Sequence, residues 1–234
     1  MDQLRQDLRF AFRSLLRRPG FAAVAVATIA LGIGINTGMF SVVRAVLLET
    51  LPYADAGRLV RVHGVNPEGG VDRGVFSPLD FEELAEATTS YSRIAAFFHM
   101  PGLSTVAVTG VGEATLLESA YVSPDFFATL GATPLLGRLP SPEEMREGTD
   151  RVVLLSHDEW QHRFGGARDI VNTSVTLRGE PHTVLGVMPP SFAYPSEGVR
   201  VWLPLSRITE DLIPRGRDVR YLGVVARLQR GVAH

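Results

Sequence analysis

The hydrophobic and polar positions change their period along the chain. In the first 20 residues Leu4, Leu8, Phe12 and Leu15 recur at i, i+4, i+8 and i+11, and Arg5, Arg9, Arg13 and Arg17 recur at strict fours beside them. At about 3.6 residues per turn this sets an apolar stripe beside a guanidinium stripe, the pattern of a helix lying in a headgroup plane. From Phe21 to Val43 the alternation gives way to 23 uncharged residues, FAAVAVATIALGIGINTGMFSVV. A helix of that length rises roughly 35 Å, enough to cross a hydrocarbon core of about 30 Å with some tilt. Pro19-Gly20 is a natural corner between the two segments, and the apolar character resumes at Val46, Leu47 and Leu48. The pattern therefore predicts an amphipathic helix over 1–20 and a membrane span over 21–48. A cleaved signal peptide shares the basic start, but its apolar stretch ends after about 7 to 15 residues at a small-x-small site. This run continues through Met39, Phe40, Val42 and Val43, which predicts an uncleaved span.

Beyond residue 48 the periods shorten. Arg58 to Val65 alternates like a half-buried strand, and Ser77-Pro78 opens a helix with acids in its first turns. Leu103–Thr109 and Ala114–Tyr121 read as strands of a hairpin turning at Gly110 to Gly112, and Ser123-Pro124-Asp125 caps a short helix, DFFATL, that stops at Gly131. A second block starts at the apolar run RVVLLS, where Ser156 caps the helix HDEWQHRF and Gly165-Gly166 ends it. Ser174–Leu177 and His182–Val187 form a hairpin around Arg178-Gly179-Glu180-Pro181, followed by short strands at Val201–Leu205 and Tyr221–Leu228. Strands outnumber helices and neighbours read as antiparallel, so residues 49–234 are expected to be an α+β domain. The Pro-, Glu- and Gly-rich stretch 138–150 is the expected seam between two subdomains.

Charge orients the span. Residues 1–20 carry Arg5, Arg9, Arg13, Arg17 and Arg18 against Asp2 and Asp7, whereas the fourteen positions after Val43 hold one basic residue, Arg44. The positive-inside bias then puts the N-terminus in the cytoplasm and the domain outside. Within the span Ala30, Gly34 and Gly38 share one face, with Gly34 and Gly38 forming a GxxxG pair and the polar Asn36 and Thr37 beside them. Small residues let a second helix approach closely, which is what drives association in lipid. Ala and Gly are also common in membrane helices for no such reason, and the partner is open between a second copy and other helices.

Composition removes several chemistries. The formal net charge is −2, without the basic face that phosphate contacts demand, so nucleic acid is not an expected partner. There is no cysteine, hence no thiolate nucleophile, disulfide or Cys-ligated metal, and no lysine, hence no P-loop and no Schiff base. His157, Glu159 and His162 come closest to a metal set, but the two histidines are five residues apart and lie roughly 140° around a helix. Trp160 and Phe164 are expected to face the core and His157 to cap or line the surface. His63, His99 and His182 are isolated, and the acid pairs Glu82-Glu83, Glu143-Glu144 and Asp158-Glu159 point apart on a helix. No GxSxG is present. No catalytic, cofactor or metal residues are expected, and the chain is not expected to be an enzyme.

The order of these motifs is recognisable. The opening DLRFAFRSLLRRPGFAAVAVATIALGIGINTGMFSVVRAVLLETLPYADAGRLVRV resembles the start of MacB-like, FtsX-type ABC-transporter permeases, in particular the duplicated orphan permeases without an ATPase of their own. Further matches are Ser77-Pro78-Leu79-Asp80-Phe81, YVSPDFFATLGATPLLGR (121–138), VVLLSHDEWQHRFGG (152–166), LRGEPHTVLGVMPPSF (177–192), VWLPL (201–205) and VARLQRGV (225–232). The resemblance implies one transmembrane helix followed by a MacB-like periplasmic core domain over 49–234, built of a porter-like subdomain and a second small α+β subdomain, in the bacterial inner membrane. It implies no cofactor, and as partners a separate cytosolic ABC ATPase, further transmembrane helices and the lipid bilayer, with homo-oligomerisation left open. The function implied is that of a permease component for export or mechanotransmission; a membrane-tethered periplasmic binding module without transport is the alternative. Family members continue into at least three more helices, whereas this sequence stops at His234, which implies a truncated product or a gene fragment.

Overall fold

The computed structural model describes residues 19–43, 53, 55–66, 71–110, 112–208, 213 and 219–231, and the chain divides into two compact units, Met1–Leu51 and Pro52–His234. The first unit is represented by one helix, α1 (Pro19–Val43). Pro19 and Gly20 stand at the start of the described helix, and the corner expected there, between an amphipathic segment and the span, turns on residues outside the described ones. The segment Pro19–Phe40 has a mean hydropathy of 1.8 and none of it is buried against protein. The amphipathic helix expected over 1–20, apart from its last two residues, and the end of the span at 44–48 lie outside the described residues.

The second unit is built on one mixed sheet. In chain order its elements are β1 (Leu59–Val62), β2 (Gly64–Asn66), β3 (Val71–Gly74), α2 (Pro78–Ala87), β4 (Tyr91–Phe98), β5 (Thr105–Thr109), β6 (Thr115–Val122), α3 (Phe126–Leu130), β7 (Leu136–Gly137), β8 (Val152–Leu155), α4 (His157–Phe164), β9 (Ser174–Leu177), β10 (Glu180–Val187), β11 (Val201–Pro204) and β12 (Gly223–Leu228). Ten strands share the sheet in the order β1-β12-β4-β6-β11-β8-β10-β9-β5, with β7 added on β10; β2 and β3 pair separately.

Strand β5 also pairs with β6, through Thr105↔Glu118 to Val108↔Thr115, and with β9, through Val108↔Leu177 and Thr109↔Thr176. Strands β5, β6, β11, β8, β10 and β9 therefore close into a six-stranded ring. Strands β4 and β5 follow one another along the same edge of β6: Ser119 N donates to Ser104 O next to β5, and Ser123 N donates to Ala96 O in β4.

The period-two alternation of side chains sends residues to two cores. One, which fills the ring, gathers Val106, Val108, Leu117, Tyr121, Val153, Leu155, Val175, Leu177, Val184, Val187, Val201 and Leu203, and adds Phe81 and Leu84 of α2 and Trp160 and Phe164 of α4. The other gathers Ala120, Val122, Leu154, Leu185 and Trp202 with Phe126, Phe127 and Leu130 of α3 and with Met145, Met188 and Phe192.

Local signals set the helices as the sequence suggests. Ser77 Oγ accepts from Asp80 N at 3.2 Å and the Asp80 carboxylate accepts from Ser77 N at 3.3 Å, a complete capping box for α2. Ser156 Oγ accepts from Glu159 N at 3.0 Å at the start of α4, and Gly165 ends it at φ 60°. Trp160 is buried and its Nε1 donates to Ala167 O at 2.8 Å, as its expected core position requires.

Several expectations differ from the structure. Strand β4 has no counterpart in the sequence reading: its second half, Ala95–Phe98, is buried on both faces, so the alternation that signals a half-buried strand is absent. Not all neighbours are antiparallel: β6–β11 and β8–β10 run parallel, the latter joined by a crossover through α4. Ser123 does not cap α3; its hydroxyl accepts from Ala96 N at 3.0 Å and ties α3 to β4. Residues 138–150 do not break the sheet into two pieces, because β7 hydrogen-bonds to β10 immediately before them and Met145 within them is buried in the second core.

Two predictions follow from this region. Gly137 has φ +73° and an added Cβ would collide with Leu185 O, so Gly137→Ala should lower stability by at least about 2 kcal/mol, read as a fall in the Tm of the purified full-length chain. Glu144 accepts from both terminal nitrogens of Arg138, at 2.6 and 2.7 Å, and from Ser141 N at 2.9 Å. The Arg138 bonds lead in holding its carboxyl down at about 2, against an ordinary value of 4.5. Because the folded value lies below the unfolded one, the stabilisation is present above about pH 4.5 and fades as the pH falls toward 2. With Arg138 half-exposed the pair contributes about 1 kcal/mol. Glu144→Gln should cost that much in urea denaturation at pH 7, and a gap that persists unchanged at pH 2.5 would contradict the assignment.

Candidate functional site

In α1 the Ala30, Gly34 and Gly38 positions are exposed and lie at helical spacings of four, on one face. A Cβ added at Gly34 or Gly38 would meet nothing within 4 Å, so no described residue fills this face. Arg5, Arg9, Arg13, Arg17 and Arg18 lie outside the described residues.

The second unit has a cavity of about 160 Å³ lined by Val106, Tyr121, Leu177, Arg178, Glu180, His182, Leu203 and Arg207. Its walls come from β5, β6, β9, β10 and β11, all members of the closed ring. Arg178-Gly179 is the two-residue turn of the β9–β10 hairpin, tighter than the four-residue turn expected, and both residues have positive φ, 52° and 78°. Such a turn ordinarily takes Asn-Gly, because a side chain larger than Asn is strained in the left-handed region. The arginine is accepted here, exposed and at the rim of the cavity.

Electrostatics in this cavity are organised. Arg207 pairs with Glu180 and lies 3.8 Å from Asp150, which is buried and accepts from Ser206 Oγ at 2.6 Å. Arg151 lies 3.9 Å from the other Glu180 oxygen. His182 is buried, and its Nδ1 lies 3.0 Å from Glu180 O; a carbonyl can only accept, so Nδ1 carries the proton. Burial leads in pushing its pKa below the ordinary histidine value, and the nearby arginines add to the effect, which keeps the ring neutral at pH 7. Tyr121 is fully buried, and among the described residues its hydroxyl has no hydrogen-bond partner.

Sequence spacing could not bring Tyr121, His182 and Arg207 together, because the ring closes through pairings far apart in the chain. One local signal was readable: His182 and Val184 alternate on β10, which puts His182 on an inward position.

A second cluster has the parts of a nucleophile relay without its access. His99 Nδ1 lies 3.1 Å from Ser104 Oγ, and Nε2 lies 3.9 Å from Glu118 Oε2. Ser104 is fully buried, however, and its hydroxyl accepts from Met100 N and donates to Met100 O, both at 2.9 Å. The hydroxyl is committed to clamping the 99–104 turn.

The residues weighed for a metal are engaged separately. His157 meets the Trp160 ring edge-on, Glu159 pairs with Arg163, and His162 Nδ1 lies 2.8 Å from Asp158 O. Among the described residues no three metal-ligating side chains come together.

Comparison with known proteins follows the fold. No curated protein matches the sequence. A solved structure of the periplasmic region of MacB from Actinobacillus actinomycetemcomitans superposes with a TM-score of 0.54 at 13% identity, over 75% of each chain. The extracellular domain of the noncanonic ABC-type transporter YknZ, from Gram-positive bacteria, gives 0.50 at 14%, over 74% of this chain and 83% of the other. A domain of a protein described as a permease of Porphyromonas gingivalis gives 0.54 at 14%, over 77% and 79%. At such identities the likeness is one of fold. The sequence itself matches the profile of the MacB-like periplasmic core domain over residues 22–233. The match takes in α1 as well as the ringed sheet, and on that ground the chain belongs to the MacB-like periplasmic core domain family.

Proposed function

We propose that this chain is the membrane-anchored permease component of an ABC-type export or mechanotransmission system, in which a separate cytosolic ATPase drives motion of the periplasmic domain. The single observation that carries the reading is the continuous family match over 22–233, which joins an apolar helix to the MacB-like domain in one unit. The absence of lysine supports the division of labour, since a chain without a P-loop lysine draws any ATP-driven work from another protein. In this reading residues 1–20 lie on the cytoplasmic side of the inner membrane, residues 21–48 cross it, and residues 49–234 stand in the periplasm. The Ala30, Gly34, Gly38 face receives a further transmembrane helix, and Arg5, Arg9, Arg13, Arg17 and Arg18 meet anionic headgroups.

The cysteine-free sequence makes topology directly testable. Single cysteines at Ser14 and at the exposed Ser174 would be treated with a membrane-impermeant maleimide in cells whose outer membrane has been permeabilised. Labelling is expected at Ser174→Cys alone; labelling at Ser14→Cys instead would reverse the orientation. The tagged full-length chain, isolated from its native membrane, is expected to bring down an ABC ATPase. Recovery without any ATPase would remove the coupling while leaving the anchored domain intact.

A further inference from the structure

We propose that the groove along the open edge of β4 is a docking site for an extended peptide segment of a partner protein, which adds to the sheet as a short strand antiparallel to β4. The proposal stands apart from the transport reading, since it rests on the groove alone.

The edge is left open by the way β6 ends. Strand β4 pairs with β12 along one edge from Tyr91 to Phe97, and with β6 along the other only at Phe97 and Phe98. Ser123, the residue after β6, carries the lane one step further. Its N–H donates to Ala96 O at 2.9 Å and its hydroxyl accepts from Ala96 N at 3.0 Å. The next residue is Pro124, which has no N–H to give, and the chain then leaves the sheet for α3. In an antiparallel ladder the main-chain groups of successive residues point to opposite edges. Ile94 lies two residues before Ala96 in unbroken register with β12, so its N–H and C=O face the same edge as those of Ala96. Among the described residues neither group has a partner.

That edge borders a groove of about 410 Å³, lined by Tyr91 to Ile94 of β4, by Phe81 and Ala85 of α2, and by the Ser123–Asp125 corner. Its lining is reachable: Ala85, Ser92, Arg93, Pro124 and Asp125 are exposed, and Phe81, Tyr91 and Ile94 are half-buried. The volume falls within the range of sites that hold ligands.

The chemistry of the groove selects the occupant. An N–H and a C=O side by side on a strand edge match one residue of an extended peptide, which exchanges both bonds with Ile94. Arg93 and Asp125, the charged residues of the lining, lie 3.4 Å apart and pair with each other, so recognition falls to the main chain. Opposed residues of an antiparallel pair hold their side chains on one face. The peptide residue opposite Ile94 therefore lies on the face where Ile94 and Phe81 pack on the first core, and it is apolar. Its neighbours in the peptide lie on the face of Arg93 and are polar.

The probe is the pentapeptide Thr-Val-Thr-Val-Thr-amide with fluorescein on its N-terminus, whose alternation suits the two faces. Fluorescence anisotropy would be read against the full-length chain in nanodiscs, with empty nanodiscs as the blank. A saturable rise is expected. N-methylation of both valines, which removes the donors that face Ile94, should weaken binding at least fivefold. N-methylation of the second and third threonines, whose N–H groups point away from β4, should change it less than twofold. Ala85→Trp, which fills the groove from an exposed helical position, should weaken binding at least fivefold while shifting the peptide-free Tm by no more than about 3 °C. No saturable rise, the result if another part of this chain or a second copy fills the groove, would overturn the proposal. So would equal weakening by the two methylation patterns, the reverse ranking, or undiminished binding to Ala85→Trp. The comparison of methylated probes needs no variant, so it decides the matter even if the substitution disturbs folding.

Discussion

The second half of strand β6, from Ser119 to Val122, is bonded along both edges and buried on both faces, and the domain hangs on that fact. One edge takes β5 and then β4 in succession, while the other takes β11 in parallel register, Val201↔Ser119 to Pro204↔Val122. Its alternating side chains send Leu117 and Tyr121 into one core and Ala120 and Val122 into the other. That half of the strand has no free edge to pair with a neighbouring molecule and no face open to water, so the register is fixed from four directions. The ring, the extension of the sheet through β4, β12 and β1, and the separation of the two cores all depend on that one register.

The elements legible in the sequence are those whose signals are local. The Ser77/Asp80 box, the Ser156 cap and the Gly165 stop are side-chain and backbone chemistry within one turn of a helix, and each does in space what the spacing suggests. Ser123 shows where that logic ends: it stands before a short helix as a cap should, yet its hydroxyl serves the β4 backbone, a partner remote in the chain. Strand β4 was hidden because burial on both faces erases alternation, and the parallel pairs were hidden because strand direction leaves no trace in a short apolar run. The cavity was the least legible of all. Its residues come from strands that meet only when β5 touches β9, and histidine, tyrosine and arginine read singly as ordinary core or surface residues.

The two units differ in what holds them. The domain is stabilised by two packed cores and by backbone pairing that leaves few edges. Helix α1, by contrast, exposes Phe21, Val24, Val26, Ile29, Leu31, Ile33, Ile35, Met39 and Phe40 with no protein over them. In water such a surface would aggregate; in hydrocarbon it is at home. Family membership and the apolar span thus account for opposite ends of the same physical problem.

The place of β12 has a consequence for how the domain is made. This strand is the last of the described strands, yet it lies between β1, the first of them, and β4, pairing with β4 from Gly223↔Phe97 to Leu228↔Tyr91. A chain emerging from its N-terminal end therefore leaves most of one β4 edge unsatisfied until residue 228 has appeared. Until then a largely apolar strand waits with open hydrogen bonds, the condition under which nascent chains pair with the wrong partner. The ring can close once β11 has appeared, but the flank of the sheet waits for β12, and a chain shortened before it would lose β1 with it, since among the described strands β1 pairs with β12 alone, and would leave β4 at the edge.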